Sequence, residues 1–198
     1  MSEETFDSDA AGWAARDNTM SFSHSPGYIQ GSFTSPTFPE TDAFRVSTGD
    51  FDGDYLAAGA LSWSFSFTAL NVPPSDISVR FGGNSQFFFQ PLSPTSGTST
   101  YNVSLSYGSF WFGSGGESEF NSALSSVDFV EIQFTTSGSA DQVYRLNSFE
   151  LSGDPVSGPG GSGAIPEPGS SLFLIGGMIL FAMRRWTGIG GSTDKRHA

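Results

Sequence analysis

The chain contains no cysteine and only one lysine, Lys195. The first absence excludes a disulfide framework, a thiolate metal site and a cysteine nucleophile. The second tells against long helices, which draw on Ala, Leu, Glu and Lys. Positive charge is scarce altogether: Lys and Arg total 8 against 20 Asp and Glu in 198 residues. It is also unevenly placed. Residues 1–168 hold 19 acids and four arginines (Arg16, Arg45, Arg80, Arg145), a balance of −15, whereas residues 169–198 carry +3. A body this acidic repels phosphate backbones, which excludes nucleic acid as a partner and leaves cations or neutral glycans. What the chain does have is 73 Gly, Ser and Thr residues and 20 phenylalanines. That mixture supplies enough apolar mass for a core and suits short strands joined by turns.

The periodicity agrees. Leu61, Trp63, Phe65 and Phe67 alternate with small polar residues, which predicts a strand with one buried face. Ile77, Val79 and Phe81 repeat the pattern, as do Tyr101, Val103, Leu105 and Tyr107. From Val127 to Phe134 the alternation slips by one residue after Phe129, the mark of a β-bulge. Val143 to Leu151 reads as a closing strand of poorer pattern, and Phe22, Tyr28, Phe33 and Phe44 suggest further strands near the start. Turn clusters fall at 72–76, 91–97, 113–116 and 137–141. Only Phe120 to Ser126 reads as helical, for two turns at most. The expectation is an all-β body over residues 1–152, an antiparallel β-sandwich of jelly-roll type.

Residues 153–165 are rich in Gly, Ser and Pro and read as a flexible linker, spanning roughly 20 Å. Then come Pro166-Glu167-Pro168, an uncharged run from Gly169 to Met183, and Arg184-Arg185-Trp186. As a helix the run is ~22 Å long, short of the ~30 Å hydrocarbon core, so length alone suggests a buried helix. The flanking arginines and tryptophan reverse that reading, because they are the anchors of a membrane boundary. The expectation is one short transmembrane helix within 166–186, a cytoplasmic tail over 187–198, and the acidic body outside.

This tail resembles the PEP-CTERM sorting signal of Gram-negative bacteria, with Pro166, Glu167 and Pro168 as its motif, the apolar run as its helix, and Arg184 and Arg185 as its membrane stop. The resemblance implies export, transient anchoring in the inner membrane, and processing near the tripeptide by an exosortase, a membrane-embedded cysteine transpeptidase-like enzyme. It also implies an association with exopolysaccharide and biofilm. Thirteen residues follow Arg185, more than that family usually carries. The acidic start, Met1-Ser2-Glu3-Glu4, has no apolar run, so a leader is expected to be encoded upstream of it. The body is similar to laminin-B-like and carbohydrate-binding-module sandwiches at Gly53 to Leu61 and at Ala123 to Val127 leading into Phe129–Phe134.

Three sets of residues are candidates for chemistry. Asp50, Asp52 and Asp54 place carboxylates at alternate positions around Gly53, a density of hard oxygen ligands that suits calcium, although no EF-hand loop is present. The other reading is a solvated acidic loop. Phe110-Trp111-Phe112 forms a candidate carbohydrate platform, with Phe87-Phe88-Phe89 as a second. Three consecutive aromatics in a strand point two ways, so each set has members that leave the core. Glu117 and Glu119 are better read as solvated than as paired glycosidase carboxylates. His24 lies between Ser23 and Ser25, and no nucleophile elbow, phosphate loop or dinucleotide fingerprint occurs. The expectation is a non-enzymatic exported surface or matrix protein; the alternative is a carbohydrate-binding module, with or without calcium.

Overall fold

The computed structural model describes residues 2–108 and 110–153. They form two six-stranded antiparallel sheets around one aromatic core, the expected β-sandwich. In chain order the strands are β1 (Ser2–Glu4), β2 (Ala14–Ala15), β3 (Ser21–Ser25), β4 (Tyr28–Phe33), β5 (Thr41–Val46), β6 (Ser62–Ala69), β7 (Asp76–Gly83), β8 (Gln86–Leu92), β9 (Gly97–Ser104), β10 (Phe112–Gly113), β11 (Val127–Thr135) and β12 (Gln142–Ser152). Sheet A has the order β3-β4-β12-β6-β9, with β1 also on β12; sheet B has the order β10-β8-β7-β11-β5-β2. Among the described residues the one α-helix, α1 (Glu117–Leu124), buries Phe120, Ala123 and Leu124 against β7 and β8. The expected linker beyond residue 153, the apolar run, the motifs at 166–168 and 184–185 and the tail at 187–198 lie outside the described residues.

Period-2 alternation becomes burial as expected on β6, β7 and β11. Trp63, Phe65 and Phe67 meet Ile77, Val79, Phe81, Val130, Ile132 and Phe134 between the sheets. Trp63 contacts Phe81 edge-on at 5.6 Å between ring centroids, and Phe134 meets Tyr144 at 4.9 Å. Edge-to-face and tilted contacts of this kind add to the area each ring buries. Leu61 departs from expectation. It precedes β6, and although its backbone bonds to Ser152 and Leu105, its side chain is exposed at the rim. Tyr107 is likewise exposed, beyond the end of β9.

Two bulges shape the sheets. On β11 the register against β7 shifts between Val127 and Phe129, one step earlier than the sequence pattern suggests. On β12 it shifts between Leu146 and Ser148. The second bulge explains the poor alternation of 142–152. One extra residue there breaks the period without breaking the strand. This strand of weak pattern is the longest in the body and lies inside sheet A, between β4 and β6.

At one end of the sandwich the chain passes from β2 in sheet B to β3 in sheet A through Asp17–Met20. Asp42 on β5 holds this crossover. Its fully buried carboxylate accepts hydrogen bonds from the backbone N–H of Asp17 (3.0 Å), Thr19 (2.9 Å), Met20 (3.1 Å) and Ala43 (2.8 Å), and from the Thr19 hydroxyl (2.9 Å). Burial alone would raise this carboxyl, but the N–H groups of Asp17, Ala43 and Met20 and the Thr19 hydroxyl outweigh it and hold it below its ordinary value.

Candidate functional site

Strands β7, β8 and β11 each turn one set of side chains into the core and the alternate set outward. On β8 the result is that Phe88 is buried, while Phe87 and Phe89 stand on the outer face. The same alternation separates the other aromatic triplet. Trp111 is 6% exposed, packs on Phe81 at 5.3 Å and Phe120 at 5.3 Å, and donates its Nε1–H to the Ser104 carbonyl. It belongs to the core, which corrects the expectation of a Phe110-Trp111-Phe112 platform. Phe110 is exposed in the turn before β10. Phe112 is 51% exposed and crosses to the β8 aromatics through the pairing of β10 with β8.

The register aligns these residues into a row across sheet B. Phe112 lies opposite Phe89, Phe89 opposite Arg80, Arg80 opposite Glu131, and Glu131 opposite Arg45. Phe112 and Phe89 stack with centroids 5.6 Å apart and planes 29° from parallel; Phe89 and Phe87 stack at 6.2 Å and 14°. Phe129 joins the outer face because the β11 bulge shifts its parity. Its ring lies over Gly82, where an added Cβ would come within 2.4 Å of it. A groove of ≈ 280 Å³ runs along β7 and β8, lined by Phe87, Phe89, Pro91, Arg80, Ser78, Asp76 and Gln133.

The polar half of the row is an arginine cluster around one carboxylate. Glu131 is 2% exposed and pairs with Arg16 at 3.2 Å, Arg45 at 3.3 Å and Arg80 at 3.5 Å. Gln133 accepts from Arg16 at 3.2 Å and also from Arg80, and Arg16 pairs in addition with Asp17. The Arg45 guanidinium lies 4.1 Å from the Phe129 centroid and that of Arg80 lies 5.1 Å from the Phe87 centroid, both within cation–π range. Burial pushes the Arg80 guanidinium below its ordinary value, and repulsion from Arg16 and Arg45 adds to this against the pull of Glu131. Three of the body's four arginines therefore converge on the outer face of sheet B. Nothing in their spacing at 16, 45 and 80 signals this.

The outer face of sheet A is different in kind. There Ser62, Ser64, Ser66 and Thr68 oppose Ser104, Asn102, Thr100 and Thr98, a lawn of short polar groups. Arg145 lies over Tyr28 at 4.0 Å and donates to Gln30.

The remaining sequence candidates hold structural places. Asp50 lies in a 3-10 turn (Gly49–Phe51), and Asp52 and Asp54 are exposed while Phe51 and Tyr55 between and beyond them are buried. Asp54 accepts the Ala57 N–H at 2.9 Å and so caps its own turn. Among the described residues no group of three or more His, Cys, Asp or Glu side chains gathers as a metal site would. Glu119 accepts the Gly116 N–H at 3.0 Å, capping α1, and His24 Nε2 meets the Phe6 carbonyl at 2.8 Å. No helix among the described residues is long and apolar enough to cross a membrane.

No protein-family model matches the sequence, and no curated protein does. Solved structures do share the fold. The agarase AgWH50C matches with a TM-score of 0.56 and 12% identity, over 77% of this chain and 26% of that one. An exo-beta-agarase matches with a TM-score of 0.55 and 10% identity, over 76% and 25%. CtCBM11, a family 11 carbohydrate-binding module, matches with a TM-score of 0.50 and 13% identity, over 77% and 96%. The likeness is one of fold. This chain spans about a quarter of each agarase chain and nearly the whole of CtCBM11.

Proposed function

We propose that residues 2–153 form a non-catalytic carbohydrate-binding module whose glycan lies across the outer face of sheet B. The observation that carries this reading is the stack of Phe112, Phe89 and Phe87 beside the Arg80–Glu131 pair. Phe112 and Phe87 are 51% and 39% exposed, and large exposed rings grouped in this way mark a contact surface rather than chance. A sugar ring presents C–H groups to such a surface, and these are drawn to the negative faces of the rings. The hydroxyls around its edge find Arg80, Gln133 and Ser78 within the groove. Apolar contact with a few placed polar groups is the usual make-up of a small-ligand site. The fold shared with CtCBM11 over almost its full length supports a binding role.

The module is displayed outside the cell by the tail. Residues 166–186 act as a PEP-CTERM-type signal, held in the inner membrane by Arg184 and Arg185 and processed by an exosortase, and the released module associates with exopolysaccharide.

Two measurements test these halves separately. In affinity electrophoresis through gels containing agarose, mixed-linkage glucan or an acidic polysaccharide, Phe89→Ala is expected to weaken retardation at least tenfold while the half-buried position still leaves a single cooperative thermal unfolding transition. Equal retardation of variant and parent would move the site elsewhere. For the tail, a C-terminal epitope tag should be absent from the mature surface protein and retained in the membrane by Glu167→Ala. A parent protein that keeps its tag at the surface would make the segment a plain anchor.

A further inference from the structure

We propose that the glycan taken by sheet B is an acidic one, one ring resting on Phe89 with its anionic group paired to the guanidinium of Arg80, and the anionic group of a second residue paired to that of Arg45. The inference rests on the glycan-binding reading above and narrows it to a chemical class. It runs against the net charge of the body, so the local balance has to decide.

At the row, three guanidinium groups face the carboxylates of Glu131 and Asp17, which leaves one positive charge in excess. Asp76, at the far end of the groove, lies four residues along β7 from Arg80, about 13 Å away in a strand. That exceeds the Debye length of about 8 Å at physiological salt, so Asp76 is largely screened from an anion at Arg80. Glu131 cannot satisfy all three arginines. Arg45 reaches it through one bond of 3.3 Å and is itself 36% exposed, and Arg80 uses only Nη1 for its bonds to Glu131 and Gln133 among the described residues. The cluster is thus short of negative charge by one. An arriving carboxylate or sulfate supplies it, through the fork geometry that arginine offers to such groups.

The spacing fits a ring and its substituent. Arg80 is one strand from Phe89, and adjacent strands lie about 4.8 Å apart, so a sugar stacked on Phe89 carries its exocyclic group over Arg80. Arg45 lies on the next strand but one, beyond Glu131, within reach of a second residue of the polymer.

The test uses the full chain and matched polymers: alginate against carboxyl-reduced alginate, and κ-carrageenan against its desulfated form. At low salt the acidic member of a pair should bind at least tenfold tighter than its neutral counterpart, and the advantage should collapse as salt is raised. R45Q and R80Q should each reduce the acidic-to-neutral preference about fivefold or more. R45Q replaces a half-exposed side chain and keeps the test open if R80Q does not fold. A preference for only one of the two pairs identifies the anion as carboxylate or sulfate. Equal binding of acidic and neutral polymers, still dependent on Phe89, overturns the proposal and leaves glycan binding standing. Binding to the polyanions that ignores Phe89→Ala, R45Q and R80Q overturns it too, and absence of binding to every polymer overturns both readings.

Discussion

Replacing Glu131 with alanine is expected to destabilise the body by about 3 kcal/mol. The side chain is buried and is the common counter-ion of Arg16, Arg45 and Arg80. Removing one member of a buried charge network leaves the others uncompensated, which costs about 3–5 kcal/mol. The arginines are partly solvated, so the lower end applies. For a body of this size that corresponds to a fall in melting temperature of roughly 6–12 °C. Salt offers a second readout. The variant should regain stability as salt screens the mutual repulsion of three guanidinium groups, and Glu131→Gln, which keeps the shape, should lose about half as much. A melting temperature unchanged in Glu131→Ala would mean that water, not Glu131, balances the cluster.

The second large effect is expected at Asp42, and it depends on pH. Asp42→Ala strands the N–H groups of Asp17, Thr19, Met20 and Ala43 where the chain crosses between sheets. Hydrogen bonds to a charged group contribute about 1.5–3 kcal/mol each, and several share this carboxylate, so a loss of about 4 kcal/mol is expected. Asp42→Asn keeps one acceptor and should lose about 2 kcal/mol. Because the folded carboxyl is held below its ordinary value, its contribution is fully present above the unfolded value of about 3.9 and is lost as pH falls through the lower, folded one. The stability gap between parent and Asp42→Asn, measured by urea unfolding, should thus be constant from neutral pH down to about pH 4 and narrow below it. A gap that widens in acid would show that Asp42 is not ionised in the folded body.

Much of the fold was legible in single segments. Trp63, Phe65 and Phe67 announce their strand because the period of two is local, and Ile77, Val79 and Phe81 do the same. The bulge in β11 could be read as a slip of pattern, but its position moved by one step. That step places Phe129 on the outer face with Glu131. The strand from Gln142 to Ser152 looked weak for the same kind of reason: a bulge at Asn147 interrupts the alternation while Tyr144, Leu146, Phe149 and Leu151 remain buried. Of the candidate residues, Phe87, Phe89 and Phe112 are on the surface, whereas Trp111 and Phe88 are in the core. Alternation within each triplet foretold that division but not which members would face out. Asp50, Asp52 and Asp54 looked like ligands because their spacing is dense; in the fold they are exposed positions before and between the buried Phe51 and Tyr55.

The sequence alone determined the class of this body: an acidic, cysteine-free β-sandwich whose alternating aromatics must pack between sheets, followed by a stretch rich in Gly, Ser and Pro and an apolar run closed by arginines. Those properties follow from composition and from periods of a few residues. The tertiary structure alone decided which residues meet on sheet B. Phe112, Phe89, Arg80, Glu131 and Arg45 come from five strands, and their order across the sheet is not their order along the chain. Cross-strand register between distant segments depends on how the whole core closes, and one residue of slip exchanges the two faces of a strand. A platform made of side chains from five strands therefore exists only once every pairing in the sheet is set.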